Sequence, residues 1–343
     1  MDPAARSRRR RRVRLWGALA LAGAAVAAPA VAHAIIRRRQ RAPEAPRWGR
    51  THRYGGHGGA VGQVVYQELG AGRPLVLLHA FGPGFDAGQW RSAAEALAPR
   101  FRIYAPDLPG WGRSAAAATA PRPETYLATL ADFLAVVVRE PAVLVAAGLT
   151  AGYAVRLAAE HPERVRALAL VAPCGGQFPE AADAHGAAAA PWLGWLRVPL
   201  LGDAVLDALT SRAALGRFLR RHAYAAPERV DAAVLEHHYR VSHLAAHRRA
   251  LAAWWRGELE LPPGAGLEAL RMPVWIGRGA DPGAPPAHSA HPATADRFDG
   301  LLARLPEGSE IRAFAGSRIL PHAEQPLAFS RALAEFLDRL PRT

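Results

Sequence analysis

The chain of 343 residues contains no lysine and a single cysteine, Cys174. No disulfide can therefore form within the chain, and its cysteine content does not identify a redox compartment. All 43 basic residues are arginine, and fourteen of them precede residue 54 together with only two acidic residues. The remaining 29 arginines face 27 acidic residues, so the rest of the chain is nearly neutral. This balance predicts no basic face, and we expect no nucleic-acid partner.

Residues 1–41 combine a basic tail with an uncharged stretch from Leu15 to Ile36. As a helix this stretch would extend about 33 Å, which is enough to cross a bilayer. The arginines at 37–39 hinder translocation and favour a retained single-pass anchor at a membrane. The alternative is export after cleavage, because Ala32-His33-Ala34 resembles a signal-peptidase site. Arginines on both sides of the stretch leave the membrane side undetermined.

The chain beyond residue 41 alternates short apolar runs with helical patterns. Residues 42–60 are rich in Pro, Gly and Arg and are typical of a linker. Strands are predicted at 63–69, 75–78, 102–104, 142–146, 167–171, 274–276 and 310–314, and helices at 90–97, 126–138, 151–160 and 327–340. This alternation predicts an α/β fold with a mostly parallel, doubly wound sheet, formed by residues 61–173 and 271–343. Residues 174–270 lack strand patterns and predict a helical cap above the carboxyl ends of the strands, where ligands of such sheets bind.

Four motifs, read in order, resemble the α/β-hydrolase superfamily. They are the segments 75–82 (LVLLHAFG), 107–114 (DLPGWGRS), 148–165 with its HPERV ending, and 320–326 (LPHAEQP). The cap resembles that of an uncharacterised bacterial and plastid branch, which implies no particular substrate. The resemblance implies an α/β-hydrolase fold with a nucleophile elbow, and a triad of nucleophile, histidine and acid.

Two of the three triad positions implied by this resemblance are vacant. In the family register the nucleophile falls on Gly148, which has no side chain, and the base falls on Ile319, which cannot accept a proton. A serine-less elbow of this kind resembles the state of N-myc downstream-regulated proteins, which share the fold. The register therefore favours a protein that keeps the pocket without covalent catalysis.

Displaced residues are the alternative catalytic set. Thr150 would be the nucleophile if the register slips by two, although β-branched threonine resists the positive φ of an elbow. His322 lies three residues beyond the vacant base position, and Asp281 follows the strand near the place of the family acid.

An anion-stabilising frame is expected to survive. Backbone N–H groups of Phe81 and Leu149 would point at one spot, with His79, Gly148 and Cys174 around the pocket. Two functions follow: binding of a small apolar carbonyl or carboxylate compound under the cap, or hydrolysis of small esters and related compounds by Thr150, His322 and Asp281. We expect no cofactor and no metal, because the cap residues His237, His238, His243 and His247 lack a completing ligand pattern.

Overall fold

Eight strands form one sheet in the computed structural model, which describes residues 48–55, 63–116, 119–174, 191–198, 201–261, 266–281 and 301–341. Their order is β1-β2-β4-β3-β5-β6-β7-β8, with β1 and β2 antiparallel to their neighbours and the other pairs parallel. The strands are Arg50–Gly55, Gln63–Leu69, Arg73–Leu78, Phe101–Pro106, Ala142–Ala147, Val165–Val171, Val274–Gly279 and Glu310–Phe314. The mostly parallel α/β sheet predicted from the sequence is confirmed.

Strand β1 lies within residues 42–60, for which the sequence predicts a linker. Part of that segment is therefore a strand in the structure. Arg50 to Gly55 pair along their whole length with β2, from Arg50 beside Glu68 to Gly55 beside Gln63. The sequence signal is weak because β1 is an edge strand with mostly exposed or half-buried side chains. Its stability comes from pairing with β2, which local composition does not report.

Helices cover both faces of the sheet because neighbouring side chains of a strand point in opposite directions. The covering helices are α1 (Arg91–Leu97), α2 (Pro123–Phe133), α3 (Thr150–Glu160) and α9 (Pro326–Arg339). Val76 and Leu78 of β3 pack on the face covered by α2 and α3, whereas Leu75 and Leu77 pack on the face covered by α1 and α9.

The described part of the segment between β6 and β7 is helical and contains no strand. It comprises a 3₁₀ turn, Pro191–Arg197, followed by α4 (Leu201–Leu209), α5 (Arg212–Phe218), α6 (Ala232–Ser242) and α7 (Ala245–Trp255). The short helix α8 (Pro321–Glu324) precedes α9. Side-chain oxygens of Ser211 and Asp231 accept hydrogen bonds from backbone N–H groups at the starts of α5 and α6, which favours helix initiation at these residues.

The predicted membrane anchor, Leu15 to Ile36, lies outside the described residues. Among the residues that are described, no helix has the length and apolar character needed to span a bilayer.

The loop after β4 is held by a buried hydroxyl. Ser114 Oγ accepts a hydrogen bond from the Val65 N–H at 2.7 Å and donates to the Asp107 carbonyl at 2.6 Å. The Asp107 carboxylate in turn accepts from the Ala87 and Arg113 N–H groups, each at 2.8 Å. Burial, followed by the charge of Asp86, raises the pKa of Asp107 to about 7. These contacts connect β2, β4 and the loop after β3.

Replacing Ser114 by alanine should destabilise the fold by about 1–3 kcal/mol, because the buried Val65 N–H loses its acceptor. Urea unfolding followed by circular dichroism measures the change. The matched control is Ser92→Ala, an exposed site on α1, which should change the free energy of unfolding by less than about 0.5 kcal/mol. Equal effects of the two substitutions would contradict this role of Ser114.

Candidate functional site

The turn between β5 and α3 has the geometry of a nucleophile elbow and presents no side chain. Gly148 has a φ of +59°, immediately after the last residue of β5. A Cβ atom built on Gly148 would lie 3.4 Å from Ala80 Cβ and 3.9 Å from Cys174 Sγ. Because these are ordinary van der Waals distances, neighbouring atoms leave room for a small side chain. The turn therefore presents no side chain because residue 148 is glycine, and not because neighbouring atoms crowd it.

Thr150 lies in the first turn of α3 and faces the interior. Its side chain is fully buried, and its hydroxyl donates to the Ala147 carbonyl at 2.9 Å, with the Leu78 carbonyl at 3.5 Å. A hydroxyl engaged in this way bridges the ends of β3 and β5. Among the described residues, its hydrogen-bond acceptors are these two backbone carbonyls, which cannot take up its proton during attack on a substrate.

Ile319 lies in the loop between β8 and α8. We call it the base loop, because the family register predicts the catalytic base at Ile319. The loop is held by two carboxylates. Asp281 Oδ1 accepts from the Gly316 N–H at 3.0 Å. Glu324 Oε1 accepts from Ser317 Oγ at 2.9 Å and from the Arg318 N–H at 2.7 Å. Asp281 therefore binds the backbone of the base loop instead of an imidazole.

His322 is fully buried against aromatic rings. Its ring stacks on Trp90 with centroids 4.0 Å apart, and it meets Phe329 edge-on at 5.8 Å. Within the described part of the chain, neither ring nitrogen has a hydrogen-bond partner. Burial lowers the pKa of His322 to about 3, so the ring is neutral near pH 7. The geometry is that of an aromatic packing residue.

The loop after β3 carries Phe81, whose N–H group the sequence predicts to be half of an anion-stabilising frame. His79 is fully buried; its Nδ1 donates to the Ala80 carbonyl at 2.9 Å, and its Nε2 accepts from the Leu108 N–H at 3.1 Å. These two bonds define a neutral tautomer, and burial lowers the pKa of His79 to about 4. The Phe81 ring stacks on Trp111 with centroids 4.8 Å apart. His79 thus fixes the loop that carries Phe81.

The backbone N–H groups of Phe81 and Leu149 donate to no group in the part of the chain that the structure describes. Leu149 directly precedes α3, whose first N–H groups have no partner within the helix. Such groups favour a negatively charged or polarised oxygen. Cys174 lies beside them, with its N–H donating to the Gly148 carbonyl at 3.2 Å.

The structure places Gly148, Ala80 and Cys174 next to one another, whereas the candidates Thr150 and His322 are joined by no hydrogen bond to each other or to Asp281. Each of these three side chains has a separate structural environment. The three residues that the sequence offers as an alternative catalytic set therefore form no hydrogen-bonded triad in the described part of the chain.

The cap histidines are dispersed. His238 Nδ1 donates to the Pro83 carbonyl at 3.1 Å, His243 Nδ1 donates to the Tyr239 carbonyl at 2.7 Å, and His247 lies edge-on to Trp111 with ring centroids 4.6 Å apart. Among the described residues, no group of three or more potential ligands could hold a metal ion.

An acid and histidine pair that the sequence reasoning missed links core and cap. His237 Nε2 lies 3.2 Å from Asp86 Oδ1, which also accepts from the Gly88 N–H at 2.9 Å. Burial opposes ionisation of Asp86, but the His237 charge and these bonds lower its pKa. The charge of Asp86 in turn raises the pKa of His237. Only the turn signal Gly82-Pro83-Gly84 before Asp86 marks this place in the sequence.

Comparison with known proteins identifies the fold family. The family model described as alpha/beta hydrolase fold matches residues 73–225. The 2-hydroxymuconate semialdehyde hydrolase of Pseudomonas sp. (strain CF600) is 39% identical over 114 residues, covering 33% of this chain and 40% of that protein. An uncharacterized protein of Mycobacterium tuberculosis (strain ATCC 25618 / H37Rv) is 28% identical over 281 residues, covering 80% of this chain and 78% of that protein.

A solved structure supports the same fold family as the relatives found by sequence. Cfl2 from Burkholderia cenocepacia superposes with a TM-score of 0.65 at 28% identity, covering 85% of this chain and 98% of that chain. The first curated relatives are matched over about two fifths of their own length, so these matches establish the fold and family without assigning a substrate. The chain belongs to the α/β-hydrolase superfamily.

Proposed function

We propose that this protein is a membrane-tethered member of the superfamily that binds a small apolar carbonyl or carboxylate compound without covalent catalysis. The observation that carries the proposal is Gly148 at the positive-φ position of the elbow. The side chain that should attack a substrate is missing there. The unpartnered backbone N–H groups beside this turn support the binding of an oxygen there.

Binding is supported by the donors that remain. The Phe81 and Leu149 N–H groups have no acceptor among the described residues, so a ligand carbonyl or carboxylate oxygen would supply one. The side chains of Phe81 and Leu149 are largely buried and apolar. The Cys174 side chain adds a weakly polar surface beside Gly148. A polar oxygen on an otherwise apolar molecule suits this combination.

Covalent catalysis is disfavoured because the nucleophile and the base, two side chains of a triad that act together, are absent. Gly148 supplies no nucleophile, and Ile319 supplies no base in the loop after β8. In serine hydrolases, loss of nucleophile or base costs about 10⁴ to 10⁶ in rate, and loss of both costs little more. Ordinary ester hydrolysis at this elbow is therefore expected to be very slow.

Restoring both groups should create activity. The double substitution Gly148→Ser with Ile319→His is expected to hydrolyse p-nitrophenyl acetate and butyrate and to react with a fluorophosphonate probe. The wild type should do neither. Space exists at Gly148, and the base loop is already held by Asp281 and Glu324. The positive φ at the elbow adds strain for any non-glycine residue, so folding is checked by thermal unfolding.

The matched control is Gly148→Ala with Ile319→His, which adds the Cβ and the imidazole but no hydroxyl. It should remain inert. Hydrolysis by the wild type that Thr150→Val abolishes would contradict the proposal and support the second candidate, a hydrolase of small esters or related carbonyl compounds using Thr150, His322 and Asp281. Partial similarity to 2-hydroxymuconate semialdehyde hydrolase favours that candidate. A folded double variant that stays inert would contradict the register itself.

A packing role for His322 makes a separate pH prediction. Its folded-state pKa of about 3 lies below the unfolded value of 6.5, so the unfolded state binds the proton first and stability is lost as pH falls below 6.5. His322→Phe removes this contribution. The loss of unfolding free energy between pH 7 and pH 5 should be smaller by about 2 kcal/mol than in the wild type.

Urea unfolding of both proteins at the two pH values measures this difference, and His322→Phe should leave ligand binding unchanged. If the pH dependence of stability is the same in both proteins, His322 is not a buried neutral ring. Loss of a wild-type hydrolytic activity in this variant would assign it to catalysis.

The proposed tether rests on the uncharged stretch from Leu15 to Ile36 and the arginines that follow it. We expect the full-length protein to stay with membranes after alkaline carbonate extraction, and a chain beginning at residue 42 to be released. Intact mass distinguishes a retained anchor from the exported form cleaved after Ala34. Release of the full-length chain, or a mass that lacks the first 34 residues, would contradict the anchor.

A further inference from the structure

Three exposed apolar side chains lie close together at the start of the cap, on Trp195, Val198 and Leu201. Their exposed fractions are 56%, 46% and 42%. Among the described residues two other large apolar side chains, Leu302 and Leu327, are similarly exposed, and they lie elsewhere in the chain. A single exposed apolar residue is ordinary, whereas a contiguous group marks an interaction surface. We refer to Trp195, Val198 and Leu201 as the cap patch.

The backbone places the three side chains of the cap patch on one side of the segment. The Val198 N–H donates to the Trp195 carbonyl at 3.0 Å, and the Gly202 N–H donates to the Val198 carbonyl at 2.7 Å, which closes two successive helical turns. Because residues three apart in such turns lie on the same side, the spacing 195, 198 and 201 aligns the patch. The intervening Leu196 is instead buried and packs in the core.

Ion pairs hold this segment against the turn after α7. Arg197 Nη2 lies 2.7 Å from Glu258 Oε1, and Arg256 Nη2 lies 2.6 Å from Glu258 Oε2. Hydrogen bonds from Arg256, and then from Arg197, lower the pKa of Glu258 to about 2, so its carboxylate is charged near pH 7. The Arg197 side chain is 70% exposed. The segment that carries the cap patch is therefore fixed to the cap, with a positive charge beside its apolar side chains.

The sequence around the cap patch carries almost no charge. From Gly186 to Gly202, Arg197 is the one charged residue. A tryptophan beside aliphatic side chains and an arginine is a composition typical of membrane interfaces, where the indole ring lies at the level of the headgroups. A strongly acidic or basic partner would find a single charge here. The composition favours a lipid surface as the partner.

The tether proposed above would keep a bilayer within reach of the domain. Eleven residues, 37–47, separate the uncharged stretch that ends at Ile36 from Trp48, the first described residue. An extended chain of this length spans at most about 40 Å, so a tethered domain stays at the membrane surface. Tethering raises the effective concentration of that surface. A small apolar patch is then enough for contact with lipid.

We propose that the cap patch contacts the surface of the bilayer to which the chain is tethered, with Trp195, Val198 and Leu201 at the level of the lipid headgroups. Arg197 lies beside the lipid phosphates. This inference rests on the proposed tether and goes beyond it, because it assigns a second contact with the membrane. It also fixes which side of the domain faces the lipid.

Site-specific fluorescence of the full-length protein in phosphatidylcholine vesicles tests this contact. A Cys174→Ser background leaves no other cysteine, and Val198→Cys then carries a nitrobenzoxadiazole label. Lipid that carries a doxyl group near its headgroup quenches a label that lies in the interface. We expect quenching at residue 198 to be at least about twofold stronger than at a label attached through Leu327→Cys, because interfacial side chains lie about 5–10 Å into the headgroup and acyl boundary. Leu327 of α9 is the matched control, since it is an exposed leucine outside the patch.

A charged residue in the cap patch should weaken the contact. Trp195→Asp, with the label attached through Leu201→Cys, should lower the quenching by about half or more, because moving a carboxylate out of water costs free energy. Leu327→Asp with the same label should leave the quenching unchanged. Thermal unfolding verifies that each labelled variant is folded.

The proposal is overturned if the protein resists carbonate extraction yet the labels at residues 198 and 201 are quenched no more than the label at residue 327. Equal quenching with Trp195→Asp and Leu327→Asp would overturn it as well. In both cases the tether stands. A blue-shifted but unquenched label at residue 198 would show a contact with a second copy of the chain, which also contradicts the proposal. Quenching at residue 198 in a protein that carbonate releases would support the patch and contradict the tether, whereas release without quenching would contradict both.

Discussion

The turn from β5 into α3 depends on a left-handed backbone at Gly148, where φ is +59°. In related hydrolases the residue at such a turn carries the nucleophile, and the strained backbone exposes it at the edge of the sheet. Glycine adopts this conformation without strain. The same turn places Gly148 beside the loop after β3, since a Cβ atom at residue 148 would lie 3.4 Å from Ala80 Cβ. A binding role for this turn, as proposed above, would use its backbone and not a side chain.

Charged and polar groups of the site hold backbone segments in position. His79 bridges two loops as a neutral ring, and Asp281 and Glu324 bind the loop in which a base would stand. Glu324 Oε2 also accepts from the Ala225 N–H of the cap at 2.6 Å. One carboxylate therefore connects the base loop to the cap. These contacts hold the loop after β3 and the loop between β8 and α8 in position.

The cap and core also meet at Asp86 and His237, where an acid and an imidazole lie 3.2 Å apart. This pair has the acid and the histidine of a triad but no nucleophile, and it lines a cavity that Gly148 does not line.

The sequence by itself determined the alternation of strands and helices and the identities of the residues at positions 148 and 319, because these depend on local periodicity and on residue identity. It did not reveal β1, since an exposed edge strand is stabilised by its partner and not by its own composition. Only the tertiary structure decided that Thr150 bonds to Ala147, that His322 stacks on Trp90, and that His237 meets Asp86 across 151 positions of the chain. Hydrogen bonds and ring contacts of this kind depend on distances of a few ångströms between segments far apart in sequence, which local patterns do not encode.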